Sequence, residues 1–149
     1  MTAYMQKARS INWGTPPDIL ARFPDYFDPC PHPRPSWDGL EIEWRAKNFV
    51  NPPFSQLKIW TLKCKEEYMK GREVVLLMPA RVDTKYFHQN VKPFADIEFV
   101  SGRIRFIDLD NSSKEPVNAP FPSIICHYAK KVKLSGKAER MFGDIFNAD

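Results

Sequence analysis

The fold is decided by a run that ends an apolar strand and begins a helix, Phe49-Val50-Asn51-Pro52-Pro53-Phe54-Ser55. Each proline fixes its own φ, lacks an N–H, and keeps the preceding residue out of the helical region. The carbonyls of Asn51 and Pro52 are therefore held in a stiff, extended turn, together with the Asn51 side chain. The aromatic ring of Phe54 follows directly. Since open α/β sheets bind ligands at the carboxyl ends of their strands, this turn is a candidate binding site.

The turn offers two acceptors and one flat face, which suits an exocyclic amino group on a planar heterocycle. The acceptors can take the two N–H protons of the amino group while the Phe54 ring stacks on the heterocycle. These residues alone are equally compatible with a Pro-Pro turn that merely starts a helix, because proline is common in a first helical turn.

A strand–helix–strand unit extends from the turn over residues 49–78. Residues 55–70 have helical spacing, with an apolar face formed by Leu57, Trp60, Cys64 and Tyr68. Ser55 and Gly71 are the candidate N-cap and C′ residues. Residues 74–78 form a near-continuous apolar run, which is typical of a buried parallel strand.

The remaining predicted elements follow in order along the chain. They are a helix over about 85–91, strands over 97–100, 104–107 and 123–128, a polar loop over 108–119, and a terminal helix over 137–147. The strands over 104–107 and 123–128 are expected to pair antiparallel across the loop. With the parallel unit before them, they predict an α/β chain whose sheet is mostly parallel and ends in an antiparallel hairpin.

Two segments upstream of the turn are candidates for binding a charged ligand. Thr15 can cap a short helix that has Pro16 at its first position, and the free N–H groups there suit a ligand carboxylate. Asp28 can accept hydrogen bonds from ammonium or hydroxyl groups of a ligand. Each segment has a structural alternative: a capped helix in the first case, and a cap for the Cys30-Pro31 turn in the second.

Charged residues at the ends of other predicted strands are expected to border the same crevice. Arg81 and Asp83 follow an apolar strand that neighbours the strand ending at Asn51. An Arg–Asp ion pair with a helix cap is the structural alternative for these two. Arg103 and Arg105 lie opposite the apolar side of their strand, where a solvated face is the structural alternative to a role in binding.

Composition narrows the classes of protein to consider. The chain has 149 residues, 43% hydrophobic and 27% charged, which suits a single globular domain over residues 1–149. A net charge of +4 permits nucleic-acid binding without establishing it. The three cysteines and three histidines show no ligand spacing, so we expect neither a metal site nor a disulfide framework. Because no membrane-spanning run or signal-peptide pattern is found, we expect a cytoplasmic protein without a membrane partner.

An ordered set of short motifs resembles the phage-type DNA N6-adenine methyltransferase family, a compact relative of the Dam-like enzymes. From residue 13 to about residue 123 the motifs are Trp13-Gly14-Thr15-Pro16, Phe27-Asp28-Pro29-Cys30, Asp38-Gly39-Leu40, Trp44, Asn51-Pro52-Pro53-Phe54-Ser55, Pro79-Ala80-Arg81-Val82-Asp83-Thr84, Gly102-Arg103-Ile104-Arg105-Phe106 and Pro120-Phe121-Pro122-Ser123. Any one of them is weak evidence, but the ordered set is a strong signal.

The resemblance implies an S-adenosylmethionine-dependent enzyme on a compact Rossmann-like sheet that is reduced in its N-terminal half. It implies methylation of the N6 amino group of adenine in DNA, without a metal, after the base is flipped out of the duplex. The site of action is then the cytoplasm of a bacterial host if the chain is phage-encoded. The implied catalytic residues are Asn51, Pro52, Pro53 and Phe54. The implied cofactor-binding residues are Trp13, Thr15, Pro16, Asp28, Pro29 and Asn51, and the implied DNA-binding residues are Ser55, Arg81, Asp83, Arg103 and Arg105.

The sequence departs from the general methyltransferase pattern in three respects. The first predicted strand, a short one at Tyr26-Phe27, is followed by Asp28-Pro29-Cys30-Pro31 rather than by a glycine-rich turn. The acidic residue that usually binds the ribose has only a weak substitute in Asp38. There is also no separate target-recognition domain. The first two departures are compatible with a looser cofactor pocket or with one that another chain partly completes, as in a homodimer. Without a recognition domain, any sequence preference must come from loops.

Two other functions stay open from the sequence. The methyl acceptor can be an RNA adenine or a protein glutamine amide, because both present a planar amino group to the same kind of motif. The second alternative is a non-catalytic DNA-binding or inhibitor protein that has kept the fold. The missing glycine-rich turn supports this alternative. Binding of S-adenosylmethionine, and the appearance of its label in DNA, RNA or neither, distinguishes these functions.

Overall fold

The computed structural model of the chain describes residues 13–108 and 116–129. In chain order its elements are β1 (Trp13–Gly14), α1 (Pro17–Leu20), β2 (Lys47–Val50), a 3₁₀ turn (Phe54–Gln56), α2 (Leu57–Met69), β3 (Glu73–Pro79), α3 (Lys85–Asn90), β4 (Asp96–Phe99), β5 (Arg105–Asp108), β6 (Pro116–Asn118) and β7 (Ser123–Tyr128). The predicted terminal helix over 137–147 lies outside the described residues. Every helix in the described ranges is too short or too polar to cross a membrane.

The predicted strand–helix–strand unit is confirmed. Strands β2 and β3 are parallel neighbours, with Val50 opposite Leu76, and α2 connects them. The predicted helix after β3 and the predicted strand over 97–100 are confirmed as α3 and β4. The unit holds Asn51 at the carboxyl end of β2, as the sequence predicted.

The predicted cap residues of the helices are confirmed only in part. Gly71 follows the C-cap of α2 with a φ of 97°, a conformation in which a side chain would be strained. Ser55 does not cap α2, because a 3₁₀ turn intervenes and Gln56 takes the N-cap position. Pro16, not Thr15, occupies the N-cap position of α1, and no side chain caps that helix. The Thr15 hydroxyl is used elsewhere, as described below.

The main sheet has four strands in the order β2-β3-β7-β4. Strand β7 is antiparallel to both of its neighbours, so β2 and β3 form the one parallel strand pair within the described ranges. The mostly parallel Rossmann-like sheet that we predicted is therefore wrong, since the sheets are mixed or antiparallel. An apolar run such as 123–128 fits a buried strand of either direction, and here it is inserted antiparallel between β3 and β4.

A smaller antiparallel sheet has the order β1-β5-β6. In it, Ile107 of β5 lies between Gly14 and Pro116. The predicted pairing of the strands over 104–107 and 123–128 is wrong, because the two segments belong to different sheets. The predicted polar loop over 108–119 is also wrong at both ends, where β5 finishes and β6 forms. Strand β6 gave no sequence signal, since it is a short edge strand that begins with a proline.

The main sheet carries an apolar layer on each face. On one face, the even-numbered residues of β3 pack with Trp60 of α2 and Phe87 of α3. On the other face, Val75 and Leu77 of β3 pack with Phe106 from the smaller sheet. The smaller sheet therefore covers one face of the main sheet, and this brings β1 to the carboxyl end of β2.

Candidate functional site

The side chain of Asn51 joins the two sheets. Its Nδ2 donates hydrogen bonds to the Trp13 carbonyl at 2.7 Å and to the Thr15 hydroxyl at 3.1 Å. Its Oδ1 is buried and has no hydrogen-bond partner in the described part of the chain, a condition that it shares with the Ser123 hydroxyl. The carboxyl end of β2 therefore presents an acceptor whose protein partner is missing.

The orientation of this amide follows from its neighbours. A backbone carbonyl can only accept, so the nitrogen of Asn51, and not its oxygen, must face the carbonyl of Trp13. The resemblance assigned Trp13 and Thr15 to cofactor binding, but nothing in the sequence indicated that both residues fix the Asn51 side chain.

The two prolines after Asn51 make a rigid connection to α2. Pro52 is buried, and the Pro53 carbonyl accepts a hydrogen bond from the Gln56 N–H at 3.0 Å. The Phe54 ring is half-buried and makes edge-to-face contacts with Phe106 and Phe121, at centroid distances of 5.8 and 5.1 Å. Phe54 thus belongs to an aromatic cluster on the face covered by the smaller sheet.

Two cavities lie beside Asn51 and share part of their lining. The larger has a volume of about 310 Å³ and the smaller about 260 Å³. Both are lined by Asn51, Trp13, Cys30 and His32. The Asn51 side chain therefore stands at the boundary between two spaces that a ligand can enter.

The smaller cavity contains most of the cofactor-binding residues suggested by the resemblance. It is lined by Trp13, Thr15 and Asp28 together with Asn51. Pro16 is buried, and its carbonyl accepts the N–H groups of the third and fourth following residues at 3.1 Å each. Helix α1 is only four residues long. Pro16 lines neither cavity, although the preceding residue, Thr15, lines the smaller one.

The Asp28 turn has the geometry of its structural alternative. The Cys30 N–H donates to Asp28 Oδ1 at 2.8 Å, so the carboxylate caps the turn. Desolvation raises the pKa of Asp28, against the opposing effect of this hydrogen bond, although the side chain remains exposed towards the cavity. Burial, with a contribution from the Asp28 charge, raises the pKa of Cys30 to about 12, so its thiol stays neutral. Capping leaves the second carboxylate oxygen of Asp28 available to a ligand.

The larger cavity is lined mainly by residues that sequence reasoning did not select. Pro29, a predicted cofactor-binding residue, lies in its wall together with Arg34, Trp37, Gly39 and Trp60. Gly39 belonged to a motif without an assigned role, and Trp60 was expected only in the apolar face of α2. The sequence signal that could have identified this wall is the run of prolines over residues 29–35, which is followed by Trp37.

The predicted DNA-binding residues are exposed and line neither cavity. They are Ser55, Arg81, Asp83, Arg103 and Arg105. The expected alternative of an Arg81–Asp83 ion pair does not form among the described residues. Arg103 follows Gly102, whose φ is 76°, and Arg105 extends from β5 into solvent.

The described ranges hold no group of three or more His, Cys, Asp or Glu side chains placed to bind a metal ion. The residues that line the two cavities can offer hydrogen bonds, aromatic contact and two carboxylates, Asp28 in the smaller cavity and Asp38 in the larger. A planar amino group beside Asn51 is a suitable guest, because it would supply the missing N–H donor.

Comparison with known proteins gives one match. A family model described as DNA N-6-adenine-methyltransferase (Dam) matches residues 34–138, which is more than two thirds of the chain. The matched region includes Asn51-Pro52-Pro53-Phe54 and begins after the Asp28 turn. No curated protein and no solved structure matches the chain. The match supports adenine methylation of DNA as the class of activity and S-adenosylmethionine as the general methyl donor. The chain belongs to the DNA N-6-adenine-methyltransferase (Dam) family.

Proposed function

We propose that this chain methylates the N6 amino group of adenine in DNA, with the base flipped into the turn formed by Asn51-Pro52-Pro53-Phe54. The observation that carries the proposal is the buried Oδ1 of Asn51, which has no partner in the described part of the chain. An unpaired buried acceptor costs about 1–3 kcal/mol, and an N–H donor from the base would recover this cost. Adenine offers two such protons on its amino nitrogen.

The residues around Asn51 fit the cofactor of this family. Asp28 presents a carboxylate to the smaller cavity, where an ammonium group can be bound, and Thr15 lies in the same wall. Trp37 and Trp60 give the larger cavity the aromatic surface that a heterocycle prefers. We assign Trp13, Thr15, Asp28 and Pro29 to cofactor binding. When bound, S-adenosylmethionine supplies the methyl group.

The chain contributes orientation and charge stabilisation to the transfer. The lone pair of the adenine amino nitrogen is delocalised into the ring, which makes it a weak nucleophile. Hydrogen bonds from its protons to Asn51 Oδ1 and to the Pro52 carbonyl favour a more tetrahedral nitrogen and stabilise the charge that develops there. Because Trp13 and Thr15 hold the amide and the prolines hold the backbone, both acceptors are oriented before the base arrives.

Phe54 is the residue assigned to stacking on the base. Its ring is half-buried, so part of it remains open to a ligand while Phe106 and Phe121 support it by edge-to-face contacts. Stacking of a base on an aromatic ring contributes about 1–3 kcal/mol and is indifferent to sequence. Phe54 therefore holds the flipped base without selecting its neighbours.

The exposed arginines are assigned to the DNA backbone. Arg81 follows β3, Arg103 precedes β5, and Arg105 lies within β5. Their guanidinium groups suit phosphate oxygens, and the net charge of +4 favours the approach of DNA. Ser55 and Asp83 are exposed near strand ends and are assigned to the same surface.

Transfer of labelled methyl groups tests the proposed function directly. The purified chain is incubated with methyl-labelled S-adenosylmethionine and, in parallel, with DNA, RNA or protein acceptors. We expect label on adenine N6 in DNA alone, and loss of that label in Asn51→Ala. Gln89→Ala, which removes an exposed amide from α3, is the matched control and should retain activity. Label in RNA or protein but not DNA, or no label in any acceptor, would refute the proposal.

A further inference from the structure

A buried carboxylate in the last turn of α2 is fully engaged by hydrogen bonds and ion pairs. Glu67 is 0% exposed, and its Oε1 accepts the Trp44 N–H at 3.0 Å and an Arg72 N–H at 2.7 Å. Its Oε2 lies 3.0 Å from Lys63 Nζ and 3.3 Å from Lys70 Nζ. Burial by itself would raise the pKa of Glu67, but the Trp44 amide, Lys63 and Arg72 more than offset it, so the pKa is lowered. The carboxylate is therefore a fixed, charged anchor for the backbone of Trp44.

Trp44 is held at its side chain as well as at its backbone. The residue is 3% exposed, and its indole N–H donates to the Gly39 carbonyl at 2.8 Å. Its ring also stacks on Trp60, with the centroids 6.3 Å apart. Trp44 does not line either cavity, whereas Gly39 and Trp60 both line the larger one.

Gly39 lies in close contact with the turn that follows Asp28. A Cβ added at residue 39 would overlap the Pro29 carbonyl oxygen and lie 3.0 Å from a ring carbon of Trp60. Glycine is thus required by close approach, because no side chain fits between the two backbone segments. Pro29, Gly39 and Trp60 form one continuous part of the cavity wall.

We propose that Trp44, anchored by Glu67, is a positioning residue that holds Gly39 against Pro29 and so sets the shape of the cofactor pocket. This inference rests on the proposed function, since it takes the larger cavity as part of the S-adenosylmethionine site. Trp44 lines neither cavity itself, so it acts only through its contacts with Gly39 and Trp60. A tryptophan that served the core alone would contribute stability and leave cofactor affinity unchanged.

Trp44→Phe tests the proposal, with Tyr128→Phe as the matched control. Each substitution removes one buried donor to a backbone carbonyl, since the Tyr128 hydroxyl donates to the Asn90 carbonyl at 2.8 Å. Tyr128 lines neither cavity. Titration calorimetry should show that Trp44→Phe raises the Kd for S-adenosylmethionine about tenfold, equivalent to about 1.4 kcal/mol. Tyr128→Phe should leave that Kd unchanged, and an equal rise in both variants would overturn the proposal.

Hydrogen exchange separates this proposal from the proposed function. In the unliganded protein, Trp44→Phe should speed amide exchange over residues 30–40, and Tyr128→Phe should not. Unchanged exchange there overturns the positioning role, whether or not the wild-type protein binds the cofactor. Faster exchange together with a wild-type protein that binds no S-adenosylmethionine supports the positioning of the loop and refutes the cofactor assignment instead.

A second variant tests the same contact from the side of Gly39. Gly39→Ala leaves the Glu67–Trp44 contacts in place but inserts a methyl group against the Pro29 carbonyl. It should weaken cofactor binding by at least as much as Trp44→Phe. A folded Gly39→Ala protein with the wild-type Kd would overturn the proposal.

Discussion

Replacement of Asn51 by alanine should separate activity from stability. The substitution removes two hydrogen bonds donated by Nδ2, to Trp13 and Thr15. Each contributes about 0.5–1.5 kcal/mol net to folding. It also removes the buried, unpaired Oδ1, which costs the native state about 1–3 kcal/mol. The gain and the loss nearly cancel, so we expect little change in the free energy of unfolding.

The same change should have a large effect on rate. One preorganised hydrogen-bonding group is worth about 10²–10³ in kcat, or about 2.7–4 kcal/mol of transition-state stabilisation. The assay is the initial rate of methyl transfer to unmethylated DNA at saturating cofactor, paired with thermal unfolding and the Kd for S-adenosylmethionine. We expect a loss of on the order of 100-fold or more in rate with a nearly unchanged Tm.

A graded variant strengthens the test of Asn51. Thr15→Val removes one of the two acceptors for Nδ2 and keeps the shape of the side chain, while the Trp13 carbonyl still holds the amide. We expect an intermediate loss of rate, about tenfold, or about 1.4 kcal/mol of activation free energy. If Asn51→Ala folds, binds cofactor and methylates DNA at the wild-type rate, the catalytic role of Asn51 is wrong.

Three further substitutions test the roles of Asp28, Arg103 and Glu98. Asp28→Ala should weaken S-adenosylmethionine binding far more than DNA binding, and equal effects or a mere loss of stability would identify Asp28 as a turn cap only. Arg103→Ala should weaken binding to many DNA sequences alike and make log K against log[salt] shallower by about 0.9, whereas unchanged affinity and slope would leave Arg103 a solvated residue. Glu98, hydrogen-bonded by Arg22 and also by His127, has its pKa lowered from 4.5 to about 2. The ionised Glu98 side chain therefore stabilises the fold above pH 4.5, and this effect is lost as the pH falls towards 2. We expect Glu98→Gln to have a lower Tm than the wild type at pH 7 and the same Tm as the wild type in acid. A constant difference in Tm across that range would contradict this.

Local sequence patterns predicted the local structure of this chain well. The spacing of Leu57, Trp60 and Cys64 marked α2, and the apolar run of β3 marked a buried strand. Each of these signals concerns residues that are close in sequence. The order and direction of strands depend on contacts between distant segments, and the run over 123–128 carries no mark of the strand on either side of it. The predicted sheet was wrong for this reason.

The site could be predicted in the same partial way. The prolines placed Asn51 at the end of a strand because their effect on the backbone is local. The partners that orient its amide lie 38 and 36 residues away in the chain, the first on a two-residue strand without periodicity and the second directly after that strand. Likewise, Trp44 and Glu67 are 23 residues apart, and only the folded chain shows that a helix carboxylate holds a loop.

The shortness of strand β1 affects how stably the site is held together. Within the described residues the strand is two residues long and pairs with β5, yet it provides the carbonyl that holds the Asn51 amide. Short strands with few hydrogen bonds open locally with a free energy well below that of global unfolding. We therefore expect the orientation of Asn51 to follow a sub-global equilibrium, in which warming releases this side chain while the main sheet is still folded.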